Sequence, residues 1–78
     1  MTKKSIVGML ADNRDWAARR DQAKADTYAK NAAALRERGG TGPVVEALIS
    51  NRSATAAQYQ AAADRHRRAA ADLRERDV

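Results

Sequence analysis

Gly39-Gly40-Thr41-Gly42-Pro43 stands at the middle of this 78-residue chain, and the residues on either side of it repeat every seventh position. Before the glycines one row reads Val7, Arg14, Asp21, Tyr28, Leu35, and a second, four residues on, reads Ala11, Ala18, Ala25, Ala32. After Pro43 the rows are Val45, Arg52, Tyr59, His66, Leu73 and Ile49, Ala56, Ala63, Ala70. Apolar and small residues sustained at a 3.5-residue period specify long helices, and a glycine-rich break between two such stretches folds them back on each other. The expected fold is all-α: an antiparallel helical hairpin closed by an alanine-rich coiled-coil seam, forming one domain over residues 1–78. Its first helix spans about residues 5–38, the turn 39–43, and the second helix about 43–76.

Local chemistry supports those ends. Ser5, or alternatively Thr2, suits the N-cap of the first helix, because a hydroxyl there accepts from an otherwise unpaired backbone N–H. Arg36 and Arg38 fall in its last turn, where cations suit the negative end of the helix dipole, and Gly39 can adopt the left-handed conformation that ends a helix. Thr41 or Gly42 caps the second helix, Pro43 opens its first turn, and Glu46 lies near its positive end. Asp12-Asn13 and Ser50-Asn51-Arg52-Ser53 compete for backbone hydrogen bonds and are the two places where a rod can break. The seven-residue phase runs through both without a slip, so continuous helices are expected. Four acid-before-base pairs at i,i+4 fit exposed helix faces: Asp15–Arg19, Asp26–Lys30, Asp64–Arg68 and Asp72–Arg76.

Folding at Gly40 brings Tyr28 near Arg52, Asp21 near Tyr59, Arg14 near His66 and Val7 near Leu73. A cation–π contact is expected in the Tyr28–Arg52 layer and a hydrogen bond in the Asp21–Tyr59 layer.

Composition limits what such a hairpin can bury. Hydrophobic residues make up 44% of the chain, but nineteen of the thirty-four are alanines. Ordering costs roughly 1.5 kcal/mol per residue against about 25 cal/mol per Å² of apolar area removed from water, so a lone hairpin of this content is marginal. Self-association, with a dimeric four-helix bundle as its simplest form, or pairing with another protein is therefore expected. The apolar residues left off the two rows point to where it occurs. Met9 and Trp16 lie seven apart on another face of the first helix, with Ile6 and Leu10 nearby, and Val44 and Leu48 flank Val45 and Ile49 beyond the turn. These six form the expected interface, with Trp16 as its anchor.

No catalytic set emerges. The chain has no cysteine, hence neither disulfide nor thiolate ligand, and its single His66 sits among Arg65, Arg67 and Arg68 without carboxylate or imidazole partners at helical spacing. The glycine-rich turn lacks the Lys-Ser/Thr ending of a phosphate loop. No enzyme activity, cofactor or metal is expected.

The formal charge is +5, and folding brings Arg14, Arg19 and Arg20 level with Arg65, Arg67 and Arg68. Asp15 and Asp64 offset Arg19 and Arg68, leaving Arg14, Arg20, Arg65 and Arg67 as the less compensated members of an arginine belt. Such a belt is compatible with phosphate contacts, so a small basic nucleic-acid-binding protein is the alternative class. Aromatic stacking partners are almost absent, and no groove-reading motif occurs.

The outline is similar to that of the small secreted proteins of the WXG100 type. The resemblance stops at architecture: Gly40-Thr41-Gly42 replaces that family's Trp-x-Gly, and Tyr59 is followed by Ala63, not Asp or Glu, at the fourth position. No function is carried over. No run of residues approaches the ~20 apolar positions needed to span a bilayer, so no membrane partner is expected. The start from Met1 to Ala11 imitates a signal peptide only faintly, being interrupted by Gly8 and stopped by Asp12, so a cytoplasmic location is expected. The preference for Arg over Lys and the wealth of Ala and Asp suit a GC-rich bacterial or bacteriophage source. A non-catalytic protein–protein interaction, assembly or regulatory module fits all of these features.

Overall fold

A computed structural model of the chain describes residues 5–76, and it is all-helical: α1 spans Ile6–Glu37, α2 spans Pro43–Arg76, and the two pack against each other as a hairpin. Thr2, the alternative cap, lies outside the described residues, as do the rest of Met1–Lys4 and residues 77–78. Ser5 caps α1: its hydroxyl accepts from the Gly8 N–H at 2.9 Å and its carbonyl accepts from the Met9 N–H at 2.9 Å. Neither candidate break interrupts a helix. Asp12-Asn13 lies inside α1, and Ser50–Ser53 lies inside α2, where Thr55 turns its hydroxyl back to the Asn51 carbonyl at 2.9 Å.

The turn is made by two glycines in conformations that L side chains avoid. Gly39 has φ +68°, which ends α1 and brings its N–H to the Arg36 carbonyl at 3.1 Å. Gly42 has φ +123°, and its carbonyl accepts the first bond of α2, from the Glu46 N–H at 3.0 Å. Pro43, with no N–H to satisfy, then occupies the first helical position.

The result is a rod of 58 × 20 × 12 Å. Its radius of gyration is 17.6 Å, against about 12 Å for a compact chain of this length. Between the helices the buried apolar residues are Ala11, Ala18, Ala25, Ala32, Ala63 and Ala70, each no more than 3% exposed. Methyl groups in a row let two backbones approach closely, so dispersion contacts between backbones replace those that larger side chains would make.

Large and polar residues fill the remaining interface positions, and two of them, His66 and Tyr28, each meet two neighbours across the hairpin. His66 lies between Arg14, whose Nη1 is 3.3 Å from Nδ1, and Asp21, whose Oδ2 is 3.5 Å from Nε2. Tyr28 lies between Arg52, 5.7 Å over its ring, and Tyr59, whose ring is stacked nearly parallel at 5.8 Å. The Tyr28–Arg52 and Arg14–His66 layers are as the sequence predicts. The expected Asp21–Tyr59 hydrogen bond is not made: Asp21 turns to His66 and to Arg20 Nε at 3.3 Å, while Tyr59 takes the Tyr28 ring. The cause is axial stagger. The helices are offset so that a residue sits between two opposing ones, not level with one.

Candidate interaction surface

The long sides of the rod differ. Along one flank the helices are joined by polar side chains. Gln22 and Gln60 exchange amide hydrogen bonds at 2.8 and 2.9 Å, and Arg67 Nη2 donates to the same Gln22 oxygen at 2.9 Å. Toward the turn Arg36 donates to the Ser53 hydroxyl at 3.1 Å, and toward the open end Arg74 donates to Asp12 at 3.1 Å and to Asp15. Arg74's hydrogen bond holds the Asp15 carboxyl below its ordinary pKa, and Asp15 holds the Arg74 guanidinium above its own. These bonds replace several of the expected i,i+4 pairs. Asp15 goes to Arg74 across the hairpin, Asp26 accepts from Gln22 at 3.0 Å, and Asp64 pairs with Arg67 at 3.1 Å instead of Arg68.

A step of 100° per residue places Ile6, Leu10, Ala17, Lys24, Asn31 and Arg38 along the opposite side of α1, and Val44, Leu48, Ala62, Arg65 and Ala69 along the same side of α2. Two features mark this flank. Lys24 Nζ lies 5.3 Å over the Tyr59 ring, and Arg52 lines a depression of about 200 Å³ together with Asn31, Ala34, Leu35 and Arg38. A second, more open depression of about 400 Å³ is lined by α2 alone, at Pro43, Val44, Ala47, Leu48 and Asn51. No hydrogen bond joins the helices along this flank among the described residues, so we term it the open flank.

All six residues of the expected interface are exposed. Ile6 and Val44 are each 73% exposed and Trp16 55%, with Met9, Leu10 and Leu48 between 43% and 53%. They fall into two patches at opposite ends of the rod. Ile6, Met9, Leu10 and Trp16 lie toward the open end of α1, and Val44 and Leu48 lie beside the turn. Met9 and Trp16 occupy the back of α1, where Arg20 lies 5.3 Å over the Trp16 ring.

The arginine belt is more heavily engaged than its sequence indicates. Arg14 is bonded to His66, Arg20 to Asp21, and Arg67 to Asp64 and Gln22, while Arg65 is exposed with no bonded partner among the described residues. Arg68, which the sequence pairs with Asp64, is likewise unpaired there. The belt therefore presents isolated cations, not a row of four. The Gln22–Gln60 pair and the Tyr28–Tyr59 stack were not foreseen. The available signal was two like residues at equivalent repeat positions on the two helices.

Among the described residues, no group of three or more His, Cys, Asp or Glu is placed to hold a metal ion, and no helix is long and apolar enough to cross a membrane. No protein-family model, curated protein or solved structure matches the chain.

Proposed function

We propose that this chain is a small non-catalytic interaction module, an assembly or regulatory component of a bacterium or bacteriophage acting in the cytoplasm. It works as a self-associating hairpin whose two helices meet along an alanine-rich coiled-coil seam. The observation that carries this reading is the inversion of the usual apolar distribution. The methyl groups of alanine fill the inside, while Ile6, Met9, Leu10, Trp16, Val44 and Leu48 face water. Two helices have no third element to cover such side chains, and contiguous exposed apolar groups mark contact sites. Met9 and Trp16, with Ile6 and Leu10 at their margin, pair one hairpin with a second in a dimeric four-helix bundle. Tryptophan supplies the large rigid area typical of an interface anchor. Val44 and Leu48, at the far end, form a separate contact patch.

Sedimentation equilibrium tests the reading directly. The chain is expected to have twice its formula mass at micromolar concentration, and Trp16→Ala to shift the equilibrium toward monomer. A wild-type protein that stays monomeric into the millimolar range refutes the self-association.

A further inference from the structure

We infer that the open flank is the docking surface for a third helix, donated by a partner protein and carrying carboxylates beside apolar side chains. The inference rests on the reading of the chain as an interaction module and identifies the chemistry of one partner. The charge of the flank selects that chemistry. Lys24, Arg38, Arg65 and Arg76 face this way, and Asp72 is the only acid among them. The bonded flank, in contrast, has Asp12, Asp15 and Asp64 in place to answer its arginines. Arg38 and Arg65 have no carboxylate partner among the described residues, and Arg52 has only the Tyr28 ring.

Apolar contacts flank these cations at both ends. Ile6 and Leu10 stand toward the open end, and Val44 and Leu48 rim the depression beside the turn. Between them Ala17, Ala62 and Ala69 are half-buried and small. At the turn end Leu35 and Ala34 line a depression together with Arg38, Arg52 and Asn31. Such a site can hold a carboxylate by bidentate hydrogen bonds while its stem rests on apolar carbon.

Other occupants satisfy only half of this surface. A second copy presenting the same flank sets Lys24, Arg38 and Arg65 against the same cations, a like-charge juxtaposition. A nucleic acid answers the cations but leaves Leu10, Val44 and Leu48 wet and finds no exposed ring on this flank to stack on. An acidic amphipathic helix answers both, as helix-in-groove recognition does.

The probe is a fluorescein-labelled synthetic helix of about 30 residues, long enough for the rod, with leucine at heptad positions a and d and glutamate at e and g. A second version carries lysine for every glutamate. Anisotropy titrations of the full chain are expected to show saturable binding of the glutamate peptide and none of the lysine peptide. Amide shifts on binding should centre on Leu10, Lys24, Leu48 and Arg65, not on Gln22 and Gln60. The double variant Arg38→Gln/Arg65→Gln, altered only at exposed positions, should weaken binding about three- to tenfold. Absence of saturable binding, equal binding of the lysine peptide, or shifts on the Gln22–Gln60 flank overturns the inference. So does a duplex oligonucleotide that binds the same residues more tightly than the peptide. Sedimentation of the same samples separates the two readings: a self-associating chain that ignores the glutamate peptide loses the third helix and keeps the module, whereas a monomer that ignores it loses both.

Discussion

Ala63 is fully buried against α1, with Ala18 2% exposed on the facing helix. A methyl is all that either position accommodates, because the rod is 12 Å thick and has no loose layer into which a longer side chain can move. Ala63→Leu is therefore expected to destabilise the hairpin by about 1–3 kcal/mol through overpacking, read as a lower urea midpoint. Ala61→Leu, on the exposed back of α2, should leave the midpoint nearly unchanged, and equal effects at the two sites count against close helix contact. Asp15 gives a prediction in pH. Its folded-state pKa is depressed by the hydrogen bond from Arg74, so its contribution is present above the ordinary carboxylate pKa and is lost as pH falls through the depressed value. Asp15→Asn should then be less stable than wild type at neutral pH, and the gap should close on acidification below about pH 4. A gap that is as wide at pH 2 as at pH 7 excludes this linkage.

At the level of elements, the turn carries its own test. Gly39 is held at φ +68° with open space around it, so the penalty of a side chain there is one of backbone conformation. Gly39→Ala should cost about 1 kcal/mol. Gly40, which has no such φ, would place a new Cβ 3.4 Å from a Val45 methyl, an ordinary contact, so Gly40→Ala should melt within about 0.5 kcal/mol of wild type. The reverse order in thermal melts would misplace the helix end. The hairpin itself was legible in the sequence because its signals are local: a hydroxyl at Ser5, glycine at 39, proline at 43 and a phase that survives Asp12-Asn13 and Ser50–Ser53. The stagger was not. Whether Asp21 meets Tyr59 or His66 depends on how far one helix slides along the other, which turn geometry and supercoiling set together and no single residue announces. The six apolar side chains that the two rows leave over could be read directly, and all six are exposed. The compensation of Arg20 and Arg67 could not be read, because their partners depend on rotamers and on the other helix.

For the whole molecule, a rod with alanine inside gains little from burial, and the proposed self-association would supply what the hairpin lacks. The thermal midpoint should therefore rise with protein concentration, since mass action stabilises whatever binds the folded form. Trp16→Ala should flatten that dependence more than it lowers the midpoint at high dilution, where there is little dimer left to lose. A midpoint independent of concentration over two decades would mean that the two helices hold together unaided.

The contact between Arg74 and the pair Asp12 and Asp15 joins residues about sixty positions apart, while Arg36 and Ser53 are seventeen apart. In a hairpin, separation along the chain grows steadily from the bend outward, so each new layer closes a loop only slightly longer than the one before it. Folding is then expected to start beside the bend and advance as a zipper, with the Arg74 clasp fastened last and the first to come undone. Amide exchange should be slowest near Ala32 and speed up steadily toward the free ends of both rods. The patch around Trp16 lies toward the end expected to open first, so a second copy bound there, as proposed, would act as a clip on the part of the zipper that most needs one.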